Sequence, residues 1–162
     1  MNYAYYGKFP YGFKFSGKLF YDLDDKEDDY ACKDMNKSHE NYEEKLGEFP
    51  IIMVDRGNCT FVTKSRNVQK LGASLALIIN NNPNENINDI IMVDDGTASD
   101  IYIPTVLISK EDGDKIKKYL AQEANKYTSQ KDFNNNVDIL MDVEFDMVIY
   151  LIFYIYFYLL FE

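Results

Sequence analysis

A chain of 162 residues gives one domain of ordinary size with a real core, and leaves little length for a second folded domain. Its 27 acidic and 17 basic residues give a formal charge of −10. That balance excludes nucleic acid as a partner, because the electrostatic attraction that supplies most of such binding becomes repulsion.

The opening "MNYAYYGKFPYG" lacks the basic start, apolar core and small-residue cleavage site of a signal peptide, so the chain is cytosolic or begins after its signal. "FSGKLFYDL" is apolar and aromatic enough for a first strand. The acidic runs "DLDDKEDD" and "ENYEEK" flank Cys32 and offer little to bury, which predicts a solvated loop over residues 22–48. "FPIIMVDRG" is a continuous β-branched run bounded by Pro50 and Gly57, the pattern of a strand covered on both faces.

The period then changes. From Thr60, a plausible N-cap, Phe61, Ser65, Val68, Leu71 and Gly72 share one helical face, with Phe61 as its first core residue. Lys64, Arg66 and Lys70 point elsewhere, and Gly72 supplies the stop. "ASLALIIN" is the next buried strand, "NNPNENIND" is turn chemistry, and "IIMVDDG" and "YIPTVLIS" follow as short strands. Ser109 and Asp112 form a capping box for a second helix, whose inward stripe is Ile116, Tyr119 and Leu120 and which ends near Ala124. "NNNVDILMDVEF" sets Val137, Ile139, Met141, Val143 and Phe145 against acids at a period of two, a half-exposed final strand. The sum is an α+β domain with a sheet core and two packed helices.

The stretch "VDRGNCTF" places Arg56, Gly57 and Cys59 in the turn between a buried strand and a helix start. A thiol beside a cation at a helix N-terminus suits a nucleophile of lowered pKa. Such an enzyme still needs a base, and the sole histidine, His39, lies in the acidic loop with no evident orienter. The count of two cysteines fits one disulfide or two free thiols equally. Asp94, Asp95 and Asp100 cluster as a cation site would, but without the ligand spacing of a known loop, and Gly96 favours an acidic turn. The sequence contains no GxSxG, HExxH, P-loop or dinucleotide fingerprint. Sequons at Asn36 and Asn58 lean toward a luminal or extracellular compartment, with Asn58 the poorer acceptor beside Cys59.

Taken together, "VDRGNCTFVTKSRNVQKLGASLALIINN" and "DDGTASDIYIPTVLISKEDGDKIK" resemble the protease-associated (PA) domain over much of the span from Phe49 to Lys118. The opening "YYGKFPYGFKFSGKLFYD", with Cys32 ahead of the Arg-Gly-x-Cys-x-Phe core, is similar to the luminal PA domain of vacuolar sorting receptors. The resemblance implies a β-sheet or sandwich core flanked by two helices, a Cys32 to Cys59 disulfide, no catalysis, and neither cofactor nor metal. It also implies that the loop of Arg56, Gly57, Asn58 and Cys59 helps to hold the sorting peptide of a soluble cargo protein, with Ile103 and Pro104 as a wall of the same groove. Location would be the lumen of the secretory pathway (Golgi, vacuole or a lysosome-like compartment) or outside the cell. In the alternative reading, the same family supplies accessory or lid domains to proteases and transmembrane RING-type ubiquitin ligases, whose catalytic part lies outside this sequence. The resemblance stops after "VDILMDVEFD", which predicts a PA domain over residues 1–146 and a hydrophobic tail over 147–162. That tail, "MVIYLIFYIYFYLLFE", is short against the ~20 residues of a membrane span, and suits a short membrane anchor, a core strand or translated non-coding sequence.

Overall fold

The computed structural model describes residues 1–12, 14–21, 30–33, 48–128 and 139–145. Asn36, His39, most of the acidic segment, Val137 and the tail from Met147 lie outside the described residues. Six strands, β1 (Asn2–Tyr3), β2 (Lys14–Phe20), β3 (Ile51–Asp55), β4 (Leu75–Ile79), β5 (Thr105–Ile108) and β6 (Leu140–Glu144), form one mixed sheet in the order β1-β5-β4-β3-β2-β6. The inner strands β2, β3, β4 and β5 run parallel, whereas β1 and β6 close the two edges antiparallel. Two helices complete the domain, α1 (Phe61–Lys70) and α2 (Lys110–Thr128).

The period of two along the inner strands sends alternate residues to opposite faces. Ile52, Val54, Ala76, Ile78 and Leu107 pack with Val62 and Val68 of α1 and with Leu71 at its C-terminal cap. Their neighbours Ile51, Met53, Leu75, Leu77, Ile79 and Val106 instead pack with Ile116 and Leu120 of α2 and with Met141, Val143 and Phe145 at the β6 end. Because each of their faces is covered, the central strands β3 and β4 read as almost unbroken apolar runs. The expected α+β architecture, a sheet core with two helices, is the one observed.

Local chemistry fixes the helix ends. Thr60 caps α1 by accepting the Thr63 N–H at 3.1 Å. At the other end Gly72 N–H donates to Gln69 O at 2.9 Å and Ala73 N–H to Val68 O at 3.3 Å, the crossed pair that terminates a helix at a glycine. Ser109 Oγ accepts the Asp112 N–H at 3.1 Å and donates to Asp112 Oδ2 at 2.7 Å, and this bond holds the Asp112 carboxyl below its ordinary range. Helix α2 can start so close to β4 because residue 113 is glycine: a Cβ there would lie 2.2 Å from Ile79 Cγ2. Buried hydroxyls tie the N-terminal segment to α1, with Tyr6 3.1 Å from Ser65 Oγ, and Thr105 donating to Ser65 at 2.8 Å.

Three expectations need correction. Helix α2 runs to Thr128, beyond Ala124, and Tyr119 is 53% exposed, because it lies one residue, about 100° of helix rotation, from Leu120, which packs half-buried against the sheet. "IIMVDDG" joins no strand of the sheet. The position beside β5 is already filled by β1, which the sequence reading did not foresee and which pairs Asn2 with Leu107 and Tyr3 with Val106.

Candidate binding cleft

Strands β3 and β4 are parallel neighbours, so their C-terminal ends open on the same side of the sheet, where open α/β sheets commonly bind ligands. Arg56 N–H continues the ladder by donating to Ile79 O at 2.8 Å, and the chain then turns tightly, with Cys59 N–H donating to Gly57 O at 2.8 Å. The turn places Gly57 at φ 132° and Asn58 at φ 63°, both in the left-handed half of conformational space. Cys59 is bonded to Cys32, 27 residues earlier. A cysteine held in a disulfide has no thiolate to offer, which removes the nucleophile from the enzymatic reading.

Arg56 does not pair with Asp55 or with the described part of the acidic segment. Its Nη1 donates to Glu85 Oε2 at 2.5 Å and to Asn80 Oδ1 at 2.8 Å, and its guanidinium carbon lies 5.5 Å from the centre of the Phe61 ring. Asp55 is taken by Lys117, at 2.7 Å from both carboxylate oxygens, and by the Tyr21 hydroxyl at 3.1 Å. Asn80, 1% exposed, also donates to Asn82 O at 3.0 Å and to Glu85 Oε2 at 3.3 Å, so it braces both the cation and the loop that carries its counter-ion. Phe61 is thus half-buried beneath Arg56 rather than a fully buried core residue.

Around this pair lies a cleft of about 560 Å³, lined by Arg56, Gly57, Asn58, Cys59, Thr60 and Phe61 on one side. Asn81, Asn82, Glu85, Ile91 and Val93 line the other. Ile103 and Pro104 are not part of it. They line a separate cleft of about 510 Å³ with Phe9, Phe15 and Tyr102. The reason is the long β4 to β5 connection, which leaves the Arg56 turn at Asn80 and reaches Pro104 at the other end of the strands, where Pro104 O accepts the Ala76 N–H at 3.0 Å.

Lys64 also departs from expectation, being fully buried although its helix position predicted an outward side chain. Its Nζ donates to Tyr30 O at 2.5 Å, lies 3.6 Å from Cys32 Sγ and sits 5.3 Å from the Tyr30 ring centre. Asn67, one turn on, donates to Ala31 O at 2.9 Å and Lys33 O at 2.8 Å. The short segment around Cys32 is therefore gripped by α1 as well as by the disulfide. Burial pulls the Lys64 ammonium down to about 8, against the opposing effect of the Asp55 charge.

The acidic turn is occupied by its own neighbours. Asp94 Oδ1 accepts the N–H groups of Gly96 and Ala98, and Asp95 accepts from Thr97 and from Thr60. Asp100 is held by Arg66 Nε at 2.8 Å, and that guanidinium keeps its carboxyl below the usual range. These contacts pin the β4 to β5 connection onto α1 and to the rim of the cleft.

Comparison with known proteins assigns the fold to a family. The PA domain family profile matches residues 15–116. The chain belongs to the PA domain family. Vacuolar-sorting receptor 2 of Arabidopsis thaliana is 31% identical over 121 residues, an alignment that covers 72% of this chain and 19% of the receptor. Signal peptide peptidase-like 2 of the same plant is 36% identical over 74 residues, covering 46% of this chain and 13% of that protein. Its receptor homology region, transmembrane domain- and RING domain-containing protein 2 is 30% identical over 116 residues, covering 71% of this chain and 24% of the relative. This PA domain therefore spans less than a quarter of the length of each of these relatives.

Proposed function

We propose that this PA domain is a non-catalytic binding module that holds a peptide segment of a soluble cargo protein in the Arg56 cleft, in the lumen of the secretory pathway. The observation that carries the reading is the turn of Arg56, Gly57, Asn58 and Cys59, fixed by a disulfide and by α1 at the mouth of a cleft large enough for a few residues. A turn already ordered in the free protein loses little entropy on binding. The disulfide fits an oxidising compartment. The similarity to a vacuolar-sorting receptor over 72% of the chain supports cargo recognition. The RING-containing relative supports the second reading, an accessory domain of a larger membrane protein.

The test is selection of short linear peptides from a displayed library on the disulfide-bonded domain, followed by calorimetric titration of an enriched peptide. Arg56→Ala should weaken it by roughly 1.5 to 3 kcal/mol if the lost contact is charge-assisted, and Arg56→Lys should recover part of that, since an ammonium keeps the charge but loses the planar fork. Thermal melts of each variant separate this from the structural role of the Glu85 pair. Failure to enrich any peptide, or equal affinity in the alanine variant, would remove the Arg56 cleft as the cargo site.

A further inference from the structure

Residues 90–93 alternate as a strand does and sit in no sheet. Ile90 and Met92 face the core at 6% and 0% exposure, whereas Ile91 and Val93 are 63% and 57% exposed. The backbone at Ile90 is extended, with φ −87° and ψ 118°. One edge of the segment is taken by the N-terminal residues: Asn2 Nδ2 donates to Ile90 O at 2.5 Å, and Tyr5 N–H donates to Met92 O at 2.8 Å. In an extended chain, residues of the other parity aim their main-chain groups at the opposite edge. Those residues are Ile91 and Val93, whose N–H and C=O groups have no partner among the described residues. Both also line the Arg56 cleft.

We propose that the ligand docks as an added strand along this open edge, exchanging main-chain hydrogen bonds with Ile91 and Val93 while an apolar side chain rests on theirs. This rests on the reading of the cleft as a peptide site, and it names the ligand class: an extended segment with branched aliphatic or aromatic residues at alternate positions and no proline where pairing occurs. The argument for an extended peptide is the repeat. Donors and acceptors two residues apart, about 6.8 Å in a strand, are matched by another extended chain. Strand periodicity without a strand partner among the described residues, continuous with a cleft, is what an incomplete sheet edge presents.

The experiment uses a peptide enriched by the selection described above. Residue-resolved hydrogen exchange on the disulfide-bonded domain should show the Ile91 and Val93 amides slowed at least about tenfold at saturation, as new hydrogen bonds require. A scan of that peptide with single N-methyl groups, which delete one N–H at a time, should weaken binding about fivefold or more at alternate positions only. Val93→Pro, checked by thermal melting, should weaken binding without unfolding the domain. If a peptide binds and depends on Arg56, yet the N-methyl scan is flat and both amides exchange unchanged, the strand-addition proposal is overturned while the cleft assignment stands. If no peptide is enriched, both fall. Protection of Ile91 and Val93 that appears without peptide and grows with protein concentration would assign the edge to a second copy of this chain, and would also overturn the proposal.

Discussion

Replacing Cys32 and Cys59 together by serine should lower the unfolding free energy by roughly 3 to 4 kcal/mol, as read from urea unfolding curves. The bond closes a loop over a separation of 27 residues, and the loss comes chiefly from the freedom the unfolded chain regains. The folded state should suffer as well. Without the bond the turn that carries Arg56 keeps its hydrogen bonds to Ile79, Asn80 and Glu85 but loses its tie to the Cys32 segment, so peptide affinity should fall further than stability alone accounts for. Retention of wild-type stability to within about 1 kcal/mol would show that the grip of Lys64 and Asn67 on the Cys32 segment suffices, and would reassign the role of the bond.

Lys64 should make the domain more stable as pH rises above neutrality. Its folded pKa lies at about 8, lowered from 10.5 by burial. Below pH 8 both folded and unfolded chains carry the proton and the burial penalty is present in full. Between 8 and 10.5 the folded state has released the proton while the unfolded chain still binds it, so unfolding takes up a proton and stability rises with pH. The gain across that window is about 3 kcal/mol. Other groups titrate there too, so the measurement is the stability difference between wild type and Lys64→Met along the pH axis. That difference should shift toward the wild type from pH 8 upward. A difference that stays constant over the window would mean that Lys64 keeps its charge when folded, neutralised by a closer carboxylate than Asp55.

Much of the architecture was legible because each signal was local. The apolar runs at Ile51 and Leu75, the cap at Thr60, the stop at Gly72 and the capping box at Ser109 each follow from a few adjacent residues, and each lies where expected. The misreadings at residues 90–93, at Lys64 and in the cleft involve partners distant in sequence, whereas those at Tyr119 and the end of α2 are local. Residues 90–93 have strand periodicity, but whether such a run joins a sheet depends on which edge is vacant, and Asn2 and Tyr3 had filled it. Lys64 looked like a surface residue because helical phase says nothing of a segment that returns across the helix from residues 30–33. Within the cleft, the sequence marked the Arg56 turn but not Asn80, Glu85, Ile91 or Val93, which lie on the β4 to β5 connection. One signal was available: Asn80 directly follows an apolar strand, a place where a buried amide must serve another polar group.

Strands β1 and β6 occupy the two ends of the strand order, so tension applied through Asn2 and Phe145 reaches the edge pairings before the interior ones. Strand β1, with its pairs at Asn2 and Tyr3, would peel first, and β6, with five residues paired to β2, would peel later. The interior pair β3 and β4, which carries the Arg56 turn, is loaded only after an edge has been stripped. Even then the crosslink withholds 27 residue steps, about 90 to 100 Å of chain at ~3.3–3.6 Å each. Pulled through Asn2 and Phe145, the domain would lose its edge strands while the Arg56 turn stayed tied, a mechanical hierarchy set by the order of strands.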